Sequence, residues 1–328
     1  MKIGCFGKLP ISPEFIKVNA SGSALQAFDQ WLQEGIHYAR TKHKRWSEDF
    51  LKMDTWNFVF TSPDNQELLI GIVSPKQDRA GRTFPFLLFI CTDRREWSKP
   101  LYLVPAMCAD FLQHAREMAE KGWENSNVQT FRSQIQNVEF PELKDQQDAY
   151  ETYLQSHTVP QLFDDIFEQD AGTGRSNIRE VMMQHLVSLR DDQGASTDTS
   201  IRIPLRSRET LSAFDVVFWI EILSKLWDEQ GNGSMYFWVH HPKADMPYLF
   251  VTTQPASPKI FLGLVQASRH SQDTAIHENT NDDSQPFQQS DNLDHVTDEL
   301  PEAALTMNTS SKISLTEIRN ALSRETTV

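Results

Sequence analysis

A layered α/β fold, with helices on both faces of a mixed sheet and an antiparallel meander in its N-terminal half, is what this 328-residue sequence predicts. Three observations carry the prediction. Strand-like runs at 55–61, 68–73 and 84–90 follow one another with only turns or a short loop between them, so they pair as neighbours. Segments 24–40 and 105–121 repeat apolar residues at the 3.6-residue period of a one-sided helix, which needs a sheet to cover it. Segment 210–229 is apolar in nearly every direction, as a helix enclosed at the centre of a layered domain must be.

The chain opens with a short strand at Lys2–Phe6. The first helix, Ala24–Arg40, is introduced by Ser23 and Gln26 in capping-box spacing, and Leu25, Phe28, Trp31, Leu32, Gly35, Ile36 and Ala39 form its buried face. In Thr55–Thr61 the large residues Trp56, Phe58 and Phe60 alternate; the turn Pro63-Asp64-Asn65 follows, then the two apolar runs that complete the meander. A helix begins at Pro105, a favoured first-turn residue, and runs to Lys121 with Gly122 as its stop, burying Met107, Phe111, Leu112, Ala115 and Met118. From about 123 to 200 the pattern is helical, with segments 146–156, 161–168 and 177–189 separated by surface loops at 172–174 and 191–198. A strand at Ser200–Leu205 precedes the apolar helix Thr210–Glu229, and three closing strands are expected at Met235–His240, Tyr248–Thr252 and Lys259–Val265, with Pro242 and Pro255 in the turns. Residues 1–267 thus read as one α/β domain with a helical middle.

Residues 268–328 read as a different object. The last 60 positions hold 11 acidic and 4 basic residues, half of the whole net charge of −14. With few large apolar side chains, residues 268–311 cannot offset an ordering cost of about 1–2 kcal/mol per residue, so a mostly disordered acidic tail is expected. Its end differs: Ser314-Leu315-Thr316-Glu317 spells a capping box, and Ile313, Ile318 and Leu322 share one face of a short amphipathic helix. That helix is either nascent and undocked, as helices under about 12 residues are by themselves, or a tethered docking peptide.

Composition excludes several functions. No apolar run reaches the roughly 18 residues of a membrane span, and the N-terminus lacks a basic-then-apolar secretory signal, so a cytoplasmic protein is expected. The acidic balance argues against nucleic-acid binding. Cys5, Cys91 and Cys108 form no Cys-x-x-Cys pair and read as reduced thiols rather than disulfide or zinc ligands. Gly4-x-x-Gly7-Lys8 lacks the upstream glycine and the following Ser or Thr of a phosphate loop; it reads as a sharp strand end with Lys8 exposed. His240 and His241, adjacent on a strand, point to opposite faces and cannot share a metal ion. The tryptophans fall on apolar faces except Trp97, beside Arg94, Arg95 and Glu96, where exposure is expected. No complete catalytic motif is present, so neither turnover nor a cofactor is expected.

The segment Pro75–Pro85 is the most informative in the chain. It sets Lys76, Asp78, Arg79, Gly81 and Arg82 between two strands buried on both faces, so it must be displayed at a sheet end. A carboxylate flanked by cations suits an ion pair better than a proton abstractor. Two readings remain open: Arg79 and Arg82 face a partner, or Asp78 pairs with Arg82 to brace the turn while Gly81 supplies a positive φ.

Taken with Gly4-Cys5-Phe6-Gly7-Lys8-Leu9-Pro10, Phe28-Asp29-Gln30-Trp31-Leu32-Gln33 and Trp56-Asn57-Phe58, this loop resembles the TagF family of type VI secretion accessory regulators, from Met1 to about Val265. Pro13-Glu14-Phe15 stands where the family commonly has Gly-Asp-Phe. The resemblance implies a non-catalytic, post-translational repressor that binds a forkhead-associated scaffold protein, close to a kinase and phosphatase switch. It marks Asp78, Arg79, Gly81, Arg82, Lys8 and Glu14 as candidate partner-binding residues. The alternatives are an enzyme or sensor using Lys8, Asp78, Arg79 and Arg82 on a small phosphorylated ligand, and a structural component of the secretion machine.

Overall fold

The computed structural model describes residues 1–121, 123, 126–138, 143–158, 161–162, 200–206, 211–226, 234–239, 247–253, 256–267, 315–316 and 319. The strands are β1 (Lys2–Gly7), β2 (Ile16–Val18), β3 (Trp56–Thr61), β4 (Glu67–Ser74), β5 (Phe86–Asp93), β6 (Ser200–Pro204), β7 (Ser234–Trp238) and β8 (Tyr248–Thr253). They form one sheet in the order β2-β1-β5-β4-β3-β7-β8-β6. The helices are α1 (Ser23–Lys42), α2 (Trp46–Lys52), α3 (Val104–Met107), α4 (Ala109–Glu120), α5 (Val128–Gln136), α6 (Gln147–Ser156), α7 (Ala213–Leu226) and α8 (Lys259–Ala267).

The β3-β4-β5 meander forms as the sequence predicts, with Phe58 opposite Gly71 and Gly71 opposite Phe89. The α/β layering with helices on both faces also holds. The sheet itself is antiparallel in every described pair, where a mixed sheet was expected. Helices alternate with strands in sequence, but they carry the chain from one face or edge to another instead of forming the crossovers that parallel strands need.

Strand alternation divides the interior into two cores. Phe58, Phe60, Leu69, Leu87, Phe89 and Phe237 face α1, α2 and α8, whereas Val59, Leu68, Ile70, Ile72, Leu88 and Trp238 face α3 to α7. On the first face Phe28 of α1 stacks on Phe58 with ring centroids 4.5 Å apart, and Trp31 stacks on Phe237 at 5.3 Å. On the second, residues 215–223 of α7 are all buried, as an all-round apolar helix requires.

Four local expectations are corrected. Lys259–Val265 is the helix α8, not a strand: Ile260, Phe261, Leu264 and Val265 form its buried face, and Pro258 immediately precedes its first turn. The 105–121 helix is broken at Cys108 into α3 and α4, while the predicted apolar face is retained. Trp97 is buried, for its ring covers the second core although its charged neighbours face solvent. The N-terminus of α1 is not closed by a Ser23–Gln26 box; Glu67 of β4 accepts the Ala24 N–H at 2.9 Å and the Ser23 hydroxyl at 3.2 Å.

Residues 163–168 of the helix expected at 161–168, the helix expected at 177–189, the loops at 172–174 and 191–198, His240, His241 and residues 268–314 lie outside the described residues. Among the described residues no helix is long and apolar enough to cross a membrane.

Candidate functional site

Strand β1 ends at Gly7, whose φ of 136° is open to glycine and strained for other residues. A Cβ there would lie 2.2 Å from the Pro85 carbonyl oxygen, so only glycine lets the outgoing chain cross the start of β5. This crossing brings the N-terminal motif onto the 75–85 loop.

Lys8 then turns inward. Its side chain is 8% exposed and its Nζ lies 2.5 Å from Asp78 Oδ2, which corrects the expectation of an exposed lysine. The sequence could not reveal this pairing because the partners are 70 positions apart. Asp78 is the hub of the loop: Oδ2 also accepts Arg82 Nε at 2.7 Å, and Oδ1 accepts the backbone N–H groups of Ala80 at 2.8 Å and Arg82 at 2.9 Å. The Asp78 N–H donates to the Arg82 carbonyl at 3.0 Å, the Gly81 N–H returns to the Asp78 carbonyl at 3.0 Å, and Gly81 takes a φ of 81°. Burial opposes the charge on Asp78. The Lys8 ammonium and the Arg82 and Ala80 donors outweigh it and hold the carboxyl well below the usual carboxylate range. Such a group is a permanent anion and an anchor, not a base.

The same cations hold the segment after the strand. Arg82 Nη2 donates to the Pro13 carbonyl, which also accepts Lys8 Nζ at 3.5 Å. Phe15 stacks on Phe6 at 5.4 Å and meets Phe84 edge-on at 4.9 Å, with Lys8 Nζ 4.7 Å from its ring centre. Phe15 nevertheless stays 38% exposed, one of three large apolar side chains so displayed among the described residues.

Of the six candidate residues, the fold therefore brings together Lys8, Asp78, Gly81 and Arg82 as a brace. Glu14 and Arg79 are left facing solvent on the same end of the sheet. The Arg79 guanidinium has no hydrogen-bond or ion-pair partner among the described residues, while its backbone N–H reaches the Ser12 carbonyl at 3.4 Å. Sequence reasoning missed Phe6 and Phe84, whose only signal was their place inside the two motifs.

It also missed a buried polar cluster on the opposite core. Asp215, fully buried in α7, pairs with Arg206 at 2.9 Å, accepts the Tyr153 hydroxyl and caps the Ser212 N–H at 2.6 Å. Burial pushes its carboxyl upward against the pull of Arg206. Glu221 accepts the Tyr150 hydroxyl at 2.6 Å and pairs with Lys225 at 3.1 Å. Cys5 and Cys108 are free thiols that burial pushes up to about 12, which makes them inert near neutrality.

Among the described residues no group of three or more His, Cys, Asp or Glu side chains is placed to hold a metal ion. Residues 4–138 match the family model of the TagF N-terminal domain, type VI secretion system-associated. The match includes both halves of the braced site but stops well short of Val265, to which the sequence resemblance extends. No curated protein matches the chain. Among solved structures, the crystal structure of PA0076 from Pseudomonas aeruginosa PAO1 is similar over 43% of this chain and 64% of that chain, with 19% identity and a TM-score of 0.39. The alignment thus takes in less than two thirds of that protein's length. Over residues 4–138 the chain therefore carries a region similar to the TagF N-terminal domain, type VI secretion system-associated.

Proposed function

We propose that this protein is a non-catalytic regulator that represses type VI secretion by binding a forkhead-associated scaffold protein. The observation that carries the reading is the loop itself: Asp78, paired with Lys8 and Arg82, closes the connection on its own hydrogen bonds and leaves the exposed Arg79 guanidinium without a partner among the described residues. Rigid display of an arginine lowers the entropy cost of binding, and its planar five-donor fork suits a carboxylate or phosphate on a partner. Beside it lie the exposed Phe15 ring and Glu14, an apolar contact and an opposite charge that give the surface selectivity.

An enzyme acting on a small phosphorylated ligand would need Lys8 and Arg82 free for the phosphate. Both are committed to Asp78, which favours the binding reading. Purified protein is accordingly expected to hydrolyse neither nucleoside triphosphates nor phosphothreonine peptides above buffer; a metal-dependent activity abolished by one substitution would overturn this.

The test of binding is Arg79→Glu alone, since Arg82 belongs to the brace. It is expected to leave the melting transition unchanged, weaken capture of the scaffold protein by at least about 2 kcal/mol, and release secretion in cells. Full capture by folded Arg79→Glu protein would sink the proposal.

A further inference from the structure

The chain is acidic, yet the segment Arg40–Arg45, which closes α1 and opens α2, carries Arg40, Lys42, Lys44 and Arg45, all of them exposed. Among the carboxylates of residues 40–54, Asp49 and Asp54 are buried and Glu48 alone is exposed, paired with Arg45 at 3.2 Å. Lys42 and Lys44 have neither a hydrogen-bond nor an ion-pair partner among the described residues. The connection that displays them is closed on itself. His43 Nε2 meets Asp49 Oδ2, the His43 N–H donates to the Ala39 carbonyl at 2.9 Å, and the Trp46 N–H donates to the His43 carbonyl at 3.1 Å.

Helix energetics accounts for only part of this charge. Arg40 and Lys42 lie in the last turn of α1, where a cation complements the helix dipole. Lys44 lies beyond that turn, and Arg45 caps the N-terminus of α2, where the dipole opposes a cation and no side-chain bond closes the helix. A local rule of this kind is broken where a surface serves something other than stability.

An apolar contact stands next to the charges. Leu51 of α2 is 39% exposed, and Ser47, one turn before it on the same face, donates its hydroxyl to Thr83 Oγ1 at 3.3 Å. That bond sets the corner against the 75–85 loop, so its cations adjoin those of Arg79 and Arg82 at one end of the sheet. We propose that the α1–α2 corner is a docking surface for an acidic peptide segment of a partner protein, with Lys42 and Lys44 binding its carboxylates and Leu51 an apolar side chain beside them. A segment of that size senses only the local charge, because fields are screened beyond about 8 Å at physiological ionic strength. A nucleic acid or an anionic membrane extends far past this corner and would also meet the excess of carboxylates that gives the chain its net charge of −14.

The test uses the full chain and a fluorescein-labelled peptide in which glutamates surround one leucine, read by anisotropy. The peptide is expected to bind, and its counterpart with glutamine for every glutamate to bind at least about ten-fold more weakly. Lys42→Glu with Lys44→Glu should leave the melting transition unchanged and weaken binding of the acidic peptide at least about ten-fold. Lys2→Glu with Lys121→Glu makes the same change in net charge at exposed positions elsewhere and should leave binding within about two-fold. Leu51→Ala should weaken it about three-fold. If glutamate at 42 and 44 impairs folding, Lys42→Gln with Lys44→Gln takes its place, with a smaller loss expected in the same direction. No binding, equal losses in the two charge-reversed pairs, or tighter binding of duplex DNA or phosphatidylserine vesicles through the same lysines would each overturn the proposal. None of these variants alters Arg79, so failure here leaves the reading of the loop untouched.

Discussion

Asp78 decides how the candidate site behaves as acid is added. Its native pKa lies below the unfolded value of about 3.9, so the stabilisation is complete above that pH and is lost as pH falls toward the native value. Asp78→Asn leaves the Lys8 ammonium buried without its counter-ion, and the expected cost at pH 7 is about 3 kcal/mol in urea unfolding. That difference should shrink as pH falls below about 4, because the unfolded chain then gains by protonating Asp78 while the folded carboxylate stays charged. A constant difference between pH 7 and pH 2.5 would show that the brace contributes through packing and not through charge. The aspartate–arginine brace was among the readings open in the sequence, because residues 78 and 82 are close in the chain. The lysine was not, because its partner lies 70 positions away in the loop between β4 and β5.

Two helices show where local rules stop. For α1 the apolar period alone specifies the buried face, and all seven residues expected there are buried. Its cap comes from elsewhere, since Glu67 lies at the start of a different strand with a carboxylate aimed at the helix N-terminus. Glu67→Ala is therefore expected to cost about 1 kcal/mol, whereas Gln26→Ala should cost only a few tenths, and chemical denaturation of the two variants distinguishes the distant cap from a local one. For α8 the sequence misleads, because a short apolar run suits a buried strand and a buried helix equally well. The two periods make different demands on Leu262 and Leu264, which share a face in a strand and separate in a helix. Leu264→Ala is expected to cost about 3 kcal/mol and Leu262→Ala less than half of that; equal costs would contradict the helix.

At the scale of the molecule, the sheet joins the family-matched N-terminal region to the C-terminal strands. Strand β3 pairs with β4 on one side and with β7 on the other, from Asn57 opposite Trp238 to Phe60 opposite Met235. Residues 1–138 alone would expose that edge of β3 and strip α8 from the first core, with Phe50 losing Phe261 at 5.9 Å. An exposed apolar edge strand pairs with copies of itself. The fragment 1–138 is therefore expected to aggregate in light scattering under conditions that keep the full chain dispersed. A monomeric, cooperatively melting fragment would show that β6 to β8 are an appendage and not part of one sheet.

The sequence by itself determined the periodic features: the apolar faces of α1, α4 and α7, the β3-β4-β5 meander, and the 75–85 loop as a charged display. These are legible because each follows from spacing within one segment, where 3.6 or 2 residues per repeat leaves a direct imprint. Only the tertiary structure decided which partner closes each segment. Lys8 found Asp78, Glu67 found the start of α1, Asp215 found Arg206 and Tyr153, and Leu315 found the end of α6. A buried charge or an open helix end must be satisfied, but any group of the right chemistry can do it, and the chain alone does not say which one the fold will bring within reach.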